Sequence, residues 1–420
     1  MIVGKEIERI ESELKSAFER RRIFDMSDFK AEPLGEVRIG YIGIGFRGAK
    51  AVLRAEKIPN AKIAALCDLD GRKVSQVLGD ISFPHKNGVK TYVGENSWRD
   101  LCEDKDIDLV YIATPWREHS KMASYAMLCG KHAAVEIPAA FTIAECVELV
   151  GAAEKTKRHC FQLSNCAYDS FELAVSNMAK EGVLGEVFHA EGAYIHEILS
   201  YVLNKENAKW RWLENFRSGN LYPQHAIMPL IKPLKINRGD SFDFLASVSS
   251  GDFSMGGMAR KLALADGFYA AREGGFRGNI NTSVIKTKNA KTIVLQHDVS
   301  SPRPYDRKFV LSAENYFVQK YPLPGKIAKG CDFLSESECL SLIGKYTPEF
   351  ARLSMRDALK NEARFDMDYL MDWRLFGALS RGEKPDFNVY DLAVSSAIAD
   401  LSVLSVLKGS MPVKIPSFNI

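Results

Sequence analysis

The chain has eight cysteines but no C-x-x-C pair. Neither a zinc ribbon nor a dense disulfide framework is implied, no metal site is expected, and the scattered thiols read as mostly reduced. No stretch approaches the roughly eighteen uninterrupted apolar residues of a membrane span. Charge of one sign is not in excess either: 56 basic residues face 53 acidic ones. Composition therefore gives no reason to expect nucleic acid or an anionic membrane as partner, and leaves open catalysis on a small, neutral substrate. There is no internal repeat and no low-complexity segment. The N-terminus lacks the apolar core of a secretory signal and instead carries Ile7, Ile10, Leu14 and Phe18 at helical spacing. As written, the chain is expected in the cytoplasm; a periplasmic protein whose export signal had been removed would read the same.

What the chain does contain, in 420 residues that leave room for two domains, is the stretch Val37 to Gly48, Val-Arg-Ile-Gly-Tyr-Ile-Gly-Ile-Gly-Phe-Arg-Gly. An apolar strand runs into three glycines. Gly43 allows the tight turn, Gly45 lets the backbone approach a pyrophosphate, and Gly48 lets the following helix pack close, with the phosphates at that helix's N-terminus. A second strand ends in Asp68, twenty residues past Gly48. A carboxylate there accepts hydrogen bonds from a ribose 2'-hydroxyl and repels a 2'-phosphate, so NAD is favoured over NADP. The competing reading is an ordinary glycine-rich turn beside a surface Asp.

Alternation of strand and helix continues through Gly71 to Gly79, Gly88 to Val93, the apolar run Asp108 to Thr114, His119 to Cys129, His132 to Ile137, Thr142 to Lys157 and Cys160 to Asn165, which predicts a doubly wound Rossmann domain. Past Gly182, period-two runs at 186–195, 244–248, 281–287, 291–297 and 309–312 predict an α+β domain with an open, mostly antiparallel sheet. Residues 325 to 381 read as helical again, and Val389 to Leu407 as a buried helix. The expected organisation is a helical arm (1–35), an NAD-binding domain (36–165), a substrate and oligomerisation domain (166–385), and a C-terminal helix and tail (386–420) that pack back on the fold. The arm is expected to pack on the fold or on another subunit.

Gly43 to Gly48, Thr114-Pro115 with His119, and Gly130-Lys131-His132 through Glu136-Ile137-Pro138 together resemble the Gfo/Idh/MocA oxidoreductase family. Dehydrogenase members usually carry Glu-Lys-Pro at the last motif; Ile137 stands at the lysine here and can neither donate a proton nor polarise a hydroxyl. Trp116-x-x-His119, Asn165-Cys166-x-Tyr168, Gly192-Ala193-Tyr194-Ile195-His196, Tyr222-Pro223-Gln224-His225, Ile236 to Asp240 and Gln296 to Tyr305 are similar to the branch of NAD-dependent α-N-acetylgalactosaminidases, glycoside hydrolase family 109. That branch usually has Glu where this chain has Ser164, and Thr where it has Gln224. Both changes are expected to touch the pocket.

The resemblance implies hydrolysis by redox-assisted elimination, an exception to the two-carboxylate rule of most glycosidases. A hydride passes from the sugar's C3 to NAD, the ketone acidifies C2–H, loss of that proton expels the C1 oxygen, water adds, and the hydride returns. Two bases and a group for the leaving oxygen are needed. Strand alternation puts Tyr194 and His196 on one face. Tyr194 is assigned as C2 base or substrate anchor, His225 to the C3 hydroxyl, and His196 as a third catalytic candidate that could equally hydrogen-bond a neighbouring loop. Tyr222 and Tyr305 are assigned to the sugar, with Arg211 either lining the site or packing. The cofactor set is Gly43, Gly45, Phe46, Arg47, Gly48, Asp68, Thr114, Trp116, His119, Glu136 and Asn165, where His119 could instead only open its helix and Glu136 either meets the ribose or supports from behind. Arg238 and Asp240 read equally as an ion pair or as something chemical. The competing functions are a net sugar or cyclitol oxidoreductase and an NAD-binding protein without catalysis. A carbohydrate is the expected small-molecule partner, and a dimer or tetramer the expected assembly.

Overall fold

Val37–Ile42 forms strand β1, buried along nearly its whole length. It is joined in parallel by β2 (Ala61–Asp68), β3 (Lys90–Val93), β4 (Leu109–Ile112), β5 (His132–Val135) and β6 (Cys160–Gln162), in the spatial order β3-β2-β1-β4-β5-β6. β4 and β5 are buried at every position, which is why Asp108 to Thr114 reads as an unbroken apolar run: helices cover both faces of a parallel sheet. The chain order reverses between β1 and β4, and the crevice outside the strands' carboxyl ends at such a switch point is where nucleotides bind. The turn after β1 depends on two missing side chains. A Cβ on Gly43, at φ +90°, would lie 2.7 Å from the Ala113 carbonyl oxygen, and one on Gly48 would lie 1.9 Å from that of Gly43. A reciprocal capping box of Thr142 and Glu145 starts the helix Ile143–Thr156.

The computed structural model describes residues 2–205, 209–270 and 275–420. The six-stranded sheet belongs to a unit of residues 19–174, 347–394 and 418–420; the other unit comprises 1–18, 175–346 and 395–417. In the latter, β7 (Val187–Ile195), β8 (Phe242–Ser249), β9 (Ile280–Thr287), β10 (Thr292–Asp298), β11 (Val310–Ala313), β12 (Phe317–Gln319), β13 (Lys326–Lys329), β14 (Asp332–Phe333) and β15 (Val413–Lys414) form one open sheet. All its pairings are antiparallel except β7 with β10. The stretch from 325 does not start helical as expected. It opens with β13 and β14, because Ile327 and Ala328 are too few to make a helical stripe and are buried instead by pairing with β12; the helices begin at Glu336.

Val389–Leu407 is a helix that by length and composition could cross a membrane, yet 94% of its apolar window is buried inside the protein. It is a core helix. The N-terminal helix Ile2–Glu19 is held by its own chain: Arg9 bonds Glu6, Glu13 and the buried Asp400, and Arg217 reaches the same Asp400 and Glu6. All eight cysteines are free thiols.

At the opposite edge of the parallel sheet from the glycine turn, the His132 and His159 rings stack at 5.4 Å, with Phe29 and Phe161 packed on His159. Burial pushes the His159 imidazole down to about 4 and His132 well below its ordinary value. The unfolded chain therefore binds protons first as pH falls from about 6.5, and each ring removes at most about 1.4 kcal/mol of stability per pH unit. Urea unfolding of the wild type is expected to lose stability between pH 6.5 and 4, with His159→Phe showing a shallower decline. An equal slope in both proteins would refute the assignment.

Candidate active site

Gly45 caps the helix Phe46–Ala55 with extended backbone and no side-chain cap, and nothing lies within 4 Å of where its Cβ would be. The helix's first N–H groups therefore face open space that a pyrophosphate can enter, in contrast to the tight contacts at Gly43 and Gly48. Asp68, at the end of β2, is bound from both sides of the turn: Oδ2 accepts from Ile44 N–H (2.7 Å) and Oδ1 from Asp70 N–H (2.9 Å). The carboxylate keeps lone pairs for a ribose and a negative charge against a 2'-phosphate. Phe46 is 75% exposed, with the Lys50 ammonium 3.9 Å over its ring. These residues fit NAD.

Arg47 is clamped between Glu136 (2.9 Å) and Asp368 (3.1 Å), and Asn165 Nδ2 donates to the same Asp368 at 2.9 Å. Two turns along the helix, Arg54 gives two hydrogen bonds to Asp372, one turn beyond Asp368. Burial raises the Glu136 carboxyl and pushes Asp372 up to about 6, while Arg47 holds Asp368 below the usual range. Glu136 is thus held by Arg47, a neighbour of the glycine turn. Asp368 and Asp372 had no local signal: they lie more than three hundred residues after the arginines they serve.

His119 is a brace. Its ring is buried, with Nε2 2.7 Å from the Thr114 carbonyl and Nδ1 2.8 Å from that of Pro138. Burial pushes this imidazole below its ordinary value, so the neutral ring donates to one of the two carbonyls while its other nitrogen lies against the second, wedged between the loops after β4 and β5. Trp116 is likewise buried, against Phe141.

In the other unit, the five His and Tyr candidates form one cluster. From Tyr194 on β7 the ring centroids lie 4.9 Å to Tyr222, 5.1 Å to His225 and 5.8 Å to His196, and His196 meets Tyr305 at 5.1 Å. Alternation does put Tyr194 and His196 side by side: the phenol oxygen is 3.1 Å from His196 Nδ1. Burial lowers the His196 imidazole, so near neutral pH the ring is uncharged and can accept the phenol's proton. Gly192 makes the assembly possible. Its Cβ would lie 2.3 Å from the Ala226 carbonyl oxygen, so only a glycine lets the helix Gln224–Ile231, which carries His225, sit against β7. Arg211 carries its guanidinium over Trp210 (4.8 Å) and Tyr201 (5.7 Å). Asp240 organises a turn by accepting from Ser241 N–H, Asn289 N–H and the Thr287 hydroxyl. His297 lies opposite Tyr194 on β10, its ring stacked with that of Tyr194 at 6.2 Å, a neighbour that only the sheet register brings to the cluster.

Residues 37–163 match the family described as "Oxidoreductase family, NAD-binding Rossmann fold", and residues 168–420 match "Glycosyl hydrolase 109, C-terminal domain". The chain belongs to glycosyl hydrolase family 109. An alpha-N-acetylgalactosaminidase of Bacteroides fragilis is 40% identical, over 92% of this chain and 93% of its own length. "Glycosyl hydrolase family 109 protein 2" of Phocaeicola vulgatus is 38% identical, over 91% and 94%. Among solved structures, levoglucosan dehydrogenase in complex with NADH and levoglucosan superimposes with a TM-score of 0.65 at 17% identity, covering 91% of this chain and all of the other. That last likeness shows the fold. This family 109 chain is an NAD-dependent carbohydrate enzyme with a glycosidase-like function.

Two of the chain's departures from its branch now have a setting. Gln224, next to His225, is fully buried, its amide 3.5 Å from the Ser396 hydroxyl. Ser164 is buried with its hydroxyl unpartnered among the described residues. Gly192→Ala is expected to displace His225 and reduce turnover about a hundredfold while NAD affinity holds; unchanged turnover would refute the close-approach argument. Asp68→Asn is expected to weaken NAD about tenfold and narrow the preference over NADP, read by fluorescence titration.

Proposed function

We propose that the chain is a glycosidase of the α-N-acetylgalactosaminidase type, acting by transient oxidation at C3 and elimination across C1–C2. The hydrogen bond between the Tyr194 phenol and His196 Nδ1, beside the His225 and Tyr222 rings, is the observation that carries this reading. Bound NAD supplies a hydride acceptor and donor for C3. His225 takes the C3 hydroxyl proton. Tyr194 takes the proton from C2, His196 accepts the phenol's own proton, and the electron pair of the C2–H bond forms the C1–C2 double bond as the C1–O bond breaks. Tyr222 and Tyr305 bear on the sugar. Reversal with water in place of the aglycone completes hydrolysis. The name of the Bacteroides fragilis relative supports the substrate class. Ile137, buried where the sugar dehydrogenases usually have lysine, weighs against net oxidation. A homo-oligomer belongs to the same proposal, and sedimentation of the full chain decides between dimer and tetramer.

Incubation with an aryl α-N-acetylgalactosaminide and NAD is expected to release phenol without NADH accumulating. Stoichiometric NADH from a free sugar would overturn the proposal in favour of an oxidoreductase, and NAD binding with no turnover on any sugar would leave a binding protein. Tyr194→Phe and His225→Ala should each lower kcat by about a hundredfold or more, with NAD affinity unchanged.

A further inference from the structure

Arg277 is a fully buried guanidinium whose side chain, among the described residues, makes one hydrogen bond: Nη1 to His297 Nδ1, 3.3 Å away. Its Nε is buried without an acceptor. Such a group is expensive to keep, since a buried charge ordinarily sits against a counter-ion. The nearby carboxylates offset it only in part. Asp298 spends Oδ1 on the Ser300 and Ser301 N–H groups and has Arg303 3.6 Å from Oδ2, while Glu214 acts at longer range and a second cation, Arg211, acts against it. Burial and Arg211 accordingly push the Arg277 guanidinium down to about 10.

The geometry leads from Arg277 to the phenol. An arginine only donates, so Nδ1 of His297 must accept, which fixes a neutral ring protonated on Nε2. Burial, Arg277 and Arg211 all push His297 well below its ordinary value, so it stays neutral. That ring lies 27° from parallel to Tyr194 at 6.2 Å, and the two residues are direct neighbours in the parallel β7–β10 register. Tyr194 also meets His196 on its own strand, Tyr222 and His225, and packs on an apolar cluster including Val202, Trp212 and Met255. No ring in this set is negatively charged at neutral pH, and the cations behind it are Arg277 and Arg211.

We propose that Arg277 is a positioning residue for Tyr194, fixing the His297 tautomer and supplying a positive field that favours release of the phenol's proton. Its importance for turnover rests on the glycosidase reading; its effect on Tyr194 ionisation does not. Tyrosinate absorbance of the full chain, titrated with the Tyr194→Phe curve subtracted, isolates the Tyr194 step without any substrate. Arg277→Met is expected to move that step up by about one pH unit, a tenfold fall in the ionised fraction at fixed pH, and Arg277→Lys to move it less. The nitrogen-15 ring spectrum of wild-type His297 is expected to show the Nε2–H tautomer and no protonation near the ordinary histidine range, a reading that needs no variant to fold. Tyr194 ionising at the same pH in wild type and both variants, or His297 carrying its proton on Nδ1, would overturn the proposal. A shifted Tyr194 step in a protein with no glycosidase activity would sink the functional reading and leave this one standing.

Discussion

Backbone meets backbone at Gly48 more closely than any side chain allows, and the cofactor edge depends on it. With the Gly43 carbonyl oxygen where a Cβ would be, the helix Phe46–Ala55 can start directly off β1 and present bare N–H groups at the crevice. The other unit uses the same device at Gly192, where the Ala226 carbonyl occupies the space a side chain would need. In both places the chain gives up a side chain so that a helix start can come within reach of a reactive partner: phosphate in the first case, the Tyr194 phenol in the second.

Charge is arranged around these contacts by residues that do no chemistry. Arg47 and Arg54 face Asp368 and Asp372 in two rungs, and removing one partner of the buried rung, Arg54–Asp372, costs about 3–5 kcal/mol. His119 holds two loops by their carbonyls. Around Tyr194 the arrangement is unbalanced instead, with the buried Arg277 offset only in part by Asp298 and Glu214 and opposed by a second cation, Arg211. An unbalanced buried field is a poor way to stabilise a fold and a useful way to stabilise an anion that forms during reaction.

What could be read from the amino-acid order follows how far the interacting residues lie apart. The glycine turn and Asp68 act within one β-α-β unit, and Tyr194 and His196 are related by simple alternation, so local pattern is enough. Tyr222, His225 and Tyr305 are recognisable through motifs, although their meeting at one place is a product of Gly192 and the sheet register. Asp368 meets Arg47 across 321 residues, and nothing near either announces it. The contact of Gln224 with Ser396 is equally out of reach of the motif, since it joins residues 172 positions apart. The short strands at 326–333 escaped because four residues cannot show a period.

The two-rung pairing also constrains the order in which the protein can form. Proteins emerge N-terminal end first, and domains commonly fold as they leave the ribosome. Here the strands and glycines of the dinucleotide half are made early, together with Glu136, but the carboxylate partner of Arg54 and the second one of Arg47 arrive only with helix Met367–Arg381. Until then Arg54 lacks its carboxylate, and Arg47 has only Glu136 of the two it ends between. The cofactor half is therefore not a module that could be cut out at its last strand: its sequence is interrupted, and its completion is a late event in synthesis.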